Sequence, residues 1–164
     1  MPGTPLFMRD VLLTLKLESG GTRASFQCDL STAEVVTTPG DDVSYPVLCG
    51  TAYSSVGAST YSLHVVAVQR WSVDGLANFL WTNEGALAEF QYQAHGGSTV
   101  PSADAPGMQG QVRLVAPTYG GTVDEYAELD VELPCSSRPA MMVAAFPTAA
   151  AAEAEPEAAE AVAA

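Results

Sequence analysis

The residues best placed to do chemistry lie in VDEYAELDVELP, residues 123–134. In an extended chain successive side chains point to opposite faces, so Glu128, Asp130 and Glu132 project in a row while Ala127, Leu129, Val131 and Leu133 point the other way. Carboxylates in company can act as general acid and base or hold a metal ion. Neighbours on one strand face stand about 6.6–6.8 Å apart, too far for a catalytic dyad at roughly 5–5.5 Å, and the row offers too few oxygens for a calcium ion that takes roughly six to eight. At about 7 Å in water each like-charged pair costs only about 0.6 kcal/mol before screening, so a solvated strand face tolerates the row.

The other reactive residue types are sparse. His64 and His95 form no metal spacing with any Cys or carboxylate. His64 sits mid-strand between Leu63 and Val65, the place of a satisfied structural histidine, and His95 opens a glycine turn. GxSxG, GxGxxG and GxxxxGK[ST] are all missing, and Lys16 is the only lysine, which leaves acyl transfer, phosphate cradling and Schiff-base chemistry without candidates. Cys28, Cys49 and Cys135 make an odd count with no CxxC, so neither a zinc site nor a disulfide framework is expected. They read as reduced cytosolic thiols, with Cys28 and Cys135 as small buried hydrophobes. No catalytic residue, metal or cofactor is expected, and the chain does not read as an enzyme.

These residues belong to a chain of 164, 48% hydrophobic, 15% charged and with net charge −13. That suits one compact domain with a sizeable core. Six Lys and Arg against nineteen Asp and Glu leave no basic stripe to grip nucleic acid, although passive proximity to DNA stays open. Apolar runs are short outside the Ala-rich end, and MPGTPLFMRDV does not read as a signal peptide, so no membrane partner is expected. After residue 147 the sequence turns to Ala and Glu, including Glu153, Glu155, Glu157 and Glu160, with no cation. We therefore divide the chain into a β-domain, residues 1–147, and an acidic tail, 148–164, expected to be flexible or weakly helical because Pro156 interrupts it and Glu153 and Glu157 repel.

Within residues 1–147 period-two alternation recurs. Val11, Leu13, Leu15 and Leu17 share one face, as do Ala24, Phe26, Cys28 and Leu30, with Arg23, Ser25, Gln27 and Asp29 opposite. Residues 62–71 are apolar on both faces, as in a central strand, and strands are predicted at 88–93, 111–116, 127–133 and 142–146. Only WSVDGLANFLWTNEG breaks the pattern. Asp74 can cap a helix of roughly ten residues, Leu76, Phe79, Leu80 and Asn83 follow at helical spacing, and Gly85 stands where a left-handed terminator belongs. Trp71, Phe79, Trp81 and Phe26 are the expected core anchors, with the tryptophans between helix and sheet; a sugar-stacking platform is the alternative use for them. Segments 31–61 and 96–110 are rich in small and polar residues and read as long excursions that contact other copies of the chain.

The stretch WSVDGLANFLWTNEGALAEFQYQ followed by GQVRLVAPTYGGTVDEYAELDVELP resembles the major tail proteins, or tail tube proteins, of long-tailed actinobacterial phages, over roughly residues 60–140. The resemblance implies a mainly β subunit, sandwich or barrel-like, with one short α-helix and long assembly loops. It implies hexameric rings stacked head-to-tail in the virion tail, assembled in the bacterial host cytoplasm, with other tail proteins at the tube ends. Genome DNA would pass through without specific binding, and Glu128, Asp130 and Glu132 become candidates to line the lumen. A further immunoglobulin-like domain, which the family often carries, is not expected. A head decoration or head-tail connector protein, or a carbohydrate-binding β-sandwich, remains as an alternative.

Overall fold

The computed structural model describes residues 10–26, 28–46, 52–55, 57–95 and 100–146. Cys49 and the acidic tail lie outside them. The elements are β1 (Leu12–Leu17), β2 (Ala24–Ser25), β3 (Leu30–Thr38), β4 (Val43–Pro46), β5 (Ala52–Ser55), β6 (Thr60–Val68), α1 (Leu76–Thr82), β7 (Leu87–Gln93), β8 (Gly107–Arg113), β9 (Glu128–Pro134) and β10 (Ala140–Met142). The described residues are mainly β with one helix. All strand pairs are antiparallel, in a five-stranded sheet ordered β10-β8-β7-β1-β2, a three-stranded sheet ordered β3-β6-β9, and a β4-β5 hairpin.

Alternation dictates which residues the two sheets bury together. Leu13 and Leu15 of β1, Ala88 and Phe90 of β7 and Val112 of β8 meet Leu63, Val65 and Ala67 of β6 and Leu129, Val131 and Leu133 of β9 in one core. Burying each large aliphatic or aromatic side chain contributes about 1.5–3 kcal/mol, so this shared layer holds the sheets together. Gly110 lies opposite Phe90 in the β7-β8 ladder, and a Cβ there would stand 2.8 Å from the Phe90 ring, so the missing side chain makes room for the aromatic. At one edge the chain crosses between sheets after β9. Cys135 N donates to Tyr61 O at 2.9 Å, and Ser136 N donates to Gln111 O at 2.9 Å. The Tyr92 hydroxyl makes a second tie by donating to Ala33 O.

Several expectations are corrected. Alternation over 24–30 stops after Phe26. A turn closed by Asp29 N donating to Phe26 O at 3.1 Å leaves Cys28 exposed and Asp29 buried, the reverse of their predicted faces. Asp29 is buried because it is paired: its carboxylate takes Arg70 Nε at 3.2 Å and the Leu76 amide at 3.4 Å. Cys135 is half-buried against the core, and burial pushes its thiol up to about 11.

The described residues of segment 31–61 are mostly strand. β3 pairs with β6 from Leu30 to Thr38, and the β4-β5 register continues that of β3-β6, so the two pairs form one long hairpin with a break between them. Gly40 and Gly57 allow the strands to close at the break, where a Cβ on either would meet the other strand's backbone at 2.5 Å and 2.4 Å. Of segment 96–110, residues 107–110 are already β8.

The helix is seven residues long, shorter than expected, with Gly75 at its N-cap and no side-chain cap. Asp29, from a distant turn, takes the role predicted for Asp74. Gly85 does adopt the left-handed conformation, at φ +79°. Phe26 is buried and Phe79 packs half-buried against it, ring centroids 5.2 Å apart. The tryptophans are not core anchors. α1 turns Leu76, Ala77 and Leu80 inward, and Trp81, about 100° round the helix from Leu80, is left 53% exposed, with Trp71 37% exposed beside it.

Candidate functional site

The three acids of the sequence motif sit on β9 as alternation requires: Leu129, Val131 and Leu133 are buried, and Glu128, Asp130 and Glu132 face outward. Antiparallel registry adds partners that a single strand cannot show. His64 on β6 lies opposite Glu34 of β3 on one side and Glu132 of β9 on the other. Its Nδ1 is 3.0 Å from Glu34 Oε1 and its Nε2 is 2.8 Å from Asp130 Oδ1. Only the imidazolium carries a proton on both nitrogens, so the hydrogen bonds to Glu34 and then Asp130 raise the histidine above its ordinary value of 6.5, against a smaller opposing effect of burial. Ser62 donates to Glu132, while Gln69 ties the start of β9 by donating to Glu128 O at 2.8 Å.

The outer face of the three-stranded sheet therefore carries Glu34, Glu128, Asp130 and Glu132 around one histidine, and none of its three strands contains Lys or Arg. Among the described residues the cations of the strands and their flanks lie elsewhere. Lys16 is on β1 and Arg113 ends β8, in the five-stranded sheet; Arg23 pairs with Glu89 at 2.8 Å, and Arg70 is held by Asp29. Among the described residues no group of three or more His, Cys, Asp or Glu is arranged to hold a metal ion. The face is an electrostatic surface, negative and cross-tied.

Reasoning from sequence placed the acidic row but missed Glu34 as its neighbour and left His64 without named partners. The usable signal was the alternation in STAEVVTT, where Ala33 and Val35 turn inward and Glu34 outward. The tryptophans form a separate exposed cluster. Trp71 meets Trp81 at 5.8 Å and 71°, and Tyr119 at 5.2 Å and 67°. Rings set edge to face present no common flat surface on which a sugar ring could stack.

No protein-family model matches the chain, and no curated protein matches it in sequence. Solved structures do. A chain from the tail of an empty gene transfer agent particle, refined with C6 symmetry, superposes with TM-score 0.54 at 16% identity, covering 81% of this chain and 96% of that one. This chain shares the fold of that tail component. A chain from the virion of a native gene transfer agent particle gives TM-score 0.50 at 17% identity over 81% and 95% of the two chains. One from the sheath-tube complex of an extracellular contractile injection system, in its extended state, gives 0.49 at 13% over 85% and 92%.

Proposed function

We propose that this chain is a structural tail tube subunit that multiplies into hexameric rings stacked head-to-tail, forming a conduit for DNA in a virion tail and performing no reaction itself. The observation that carries the proposal is the fold shared, over 96% of the other chain, with a component of a tail of C6 symmetry. In this reading the outer face of β3-β6-β9 turns to the bore. Cations lining a bore would release counterions from DNA and bind it phosphate by phosphate, whereas a face with four carboxylates and no Lys or Arg repels it weakly and lets it slide. His64 does not reverse this, because its charge is spent on two carboxylates.

The β4-β5 hairpin supports assembly in a second way. A two-stranded ribbon is marginal alone, and among the described residues β3 and β9 are sheet edges, so neighbouring copies would complete both. Ring closure through edges and stacking through the hairpin account for a filament that grows head-to-tail. Other tail proteins would terminate it, and assembly would take place in the bacterial host cytoplasm.

Negative-stain imaging of the purified protein at rising concentration tests this. Stacked rings with a bore are expected; trimers or a single unstacked ring point to a head decoration or connector protein, and a solitary species at every concentration refutes self-assembly. Within a tail, Glu128→Lys with Glu132→Lys should slow DNA passage without unfolding the subunit, since Glu132's only side-chain tie among the described residues is to Ser62. Wild-type passage through such tubes places these residues away from the bore.

A further inference from the structure

The five-stranded sheet carries on its outer face an open groove of about 690 Å³, bordered by Lys16 and Arg138 and floored by Glu89, Gln109 and Gln111. Its hydrogen bonding is incomplete in a specific way. Glu89 uses one carboxylate oxygen on Arg23 and the other on the Gln109 amide nitrogen. That bond fixes the amide, since its NH2 must face the carboxylate, and the Gln109 Oε1 is left buried with no partner. Lys16 and Arg138 make no ion pair among the described residues, although the chain holds nineteen acids to six bases. The groove thus presents two cations without anionic partners among the described residues, with Glu18 at its rim as the opposing charge.

We propose that this groove binds an acidic peptide segment, and that the segment is this chain's own residues 148–164 lying on their own subunit. An acidic peptide supplies carboxylates for Lys16 and Arg138, and its length lets one segment meet both. Residues 148–164 contain Glu153, Glu155, Glu157 and Glu160 and no cation. The chain leads to them along the same sheet. Ala140 and Met142 of β10 line the groove, and Phe146 lies over Gly107, where a Cβ would come 2.5 Å from its Cζ. From Phe146 to Glu153 an extended chain reaches roughly 23 Å, while Gly107 to Gln111 spans only about 13 Å of β8, so the acids reach the groove without strain.

Millisecond hydrogen-deuterium exchange on the full chain, dilute enough to be unassembled, tests this independently of tube formation. Amides of 148–164 should exchange about tenfold slower than in the free peptide of that sequence, and roughly 0.5 M salt should abolish the protection. Lys16→Glu with Arg138→Glu should abolish it, as should Gln at positions 153, 155, 157 and 160, which leaves the groove untouched and stands alone if the first variant fails to fold. Free-peptide exchange in the wild type overturns the proposal. So does protection that survives the Gln substitutions, or protection that appears only on assembly, which would assign the segment to a neighbouring copy.

Discussion

Raising the pH through the titration of His64 should weaken the three-stranded sheet. The imidazolium sits 3.0 Å from Glu34 and 2.8 Å from Asp130, and Glu132 is its ladder partner on β9. Two unit charges at 3 Å in water attract by about 1.4 kcal/mol before salt screening. Glu34 and Asp130 are 57% and 74% exposed, and exposed pairs retain only about 0.2–1 kcal/mol once side-chain ordering is charged against them, so the two pairs together contribute about 1 kcal/mol. The histidine's folded-state value is raised, so this contribution is complete below its ordinary value of 6.5 and is lost as pH climbs through the raised value. Urea unfolding of the dilute chain at about pH 6 and pH 8.5, in wild type and His64→Gln, isolates it, because His95 is common to both and cancels. The wild type should lead by about 1 kcal/mol at the lower pH and by much less at the higher. In NMR the His64 ring should titrate above 6.5, with Glu34→Gln and Asp130→Asn each lowering the midpoint. A midpoint at or below 6.5, or an unchanged stability difference at both pH values, refutes the clasp.

Asp29→Ala should cost about 1–3 kcal/mol in urea unfolding, because it strands the buried Leu76 amide, and Arg70→Ala should cost at least as much, since it leaves the buried Asp29 carboxylate without its cation. Negligible losses would show that Asp29 does not anchor the helix. Gly110→Val should destabilise by about 1–3 kcal/mol as its side chain pushes on the fully buried Phe90 ring, and a wild-type unfolding midpoint would contradict that packing. At about pH 8 iodoacetamide should modify exposed Cys28 and spare Cys135, whose thiol burial holds protonated up to about 11; peptide mapping would expose the reverse order.

Periodicity along a single strand was enough to assign Leu13, Leu15, Leu129, Val131 and Leu133 to the core and Glu128, Asp130 and Glu132 to the surface, because alternation is a property of the extended backbone itself. Charge balance was legible for the same reason, since it is a count. β3 was not, because its Ser and Thr carry little hydrophobic signal and its pairing to β6 holds it in the sheet. The tryptophans misled, because size and apolarity suggest burial and only the rotation of α1 relative to the sheets leaves them outside. Asp29 under the helix, the histidine clasp between residues 30 and 66 positions apart, and the groove beside Gln109 all depend on which strands become neighbours. Such meetings are set by register across the fold, and a one-dimensional pattern holds each strand's faces without holding what they will face.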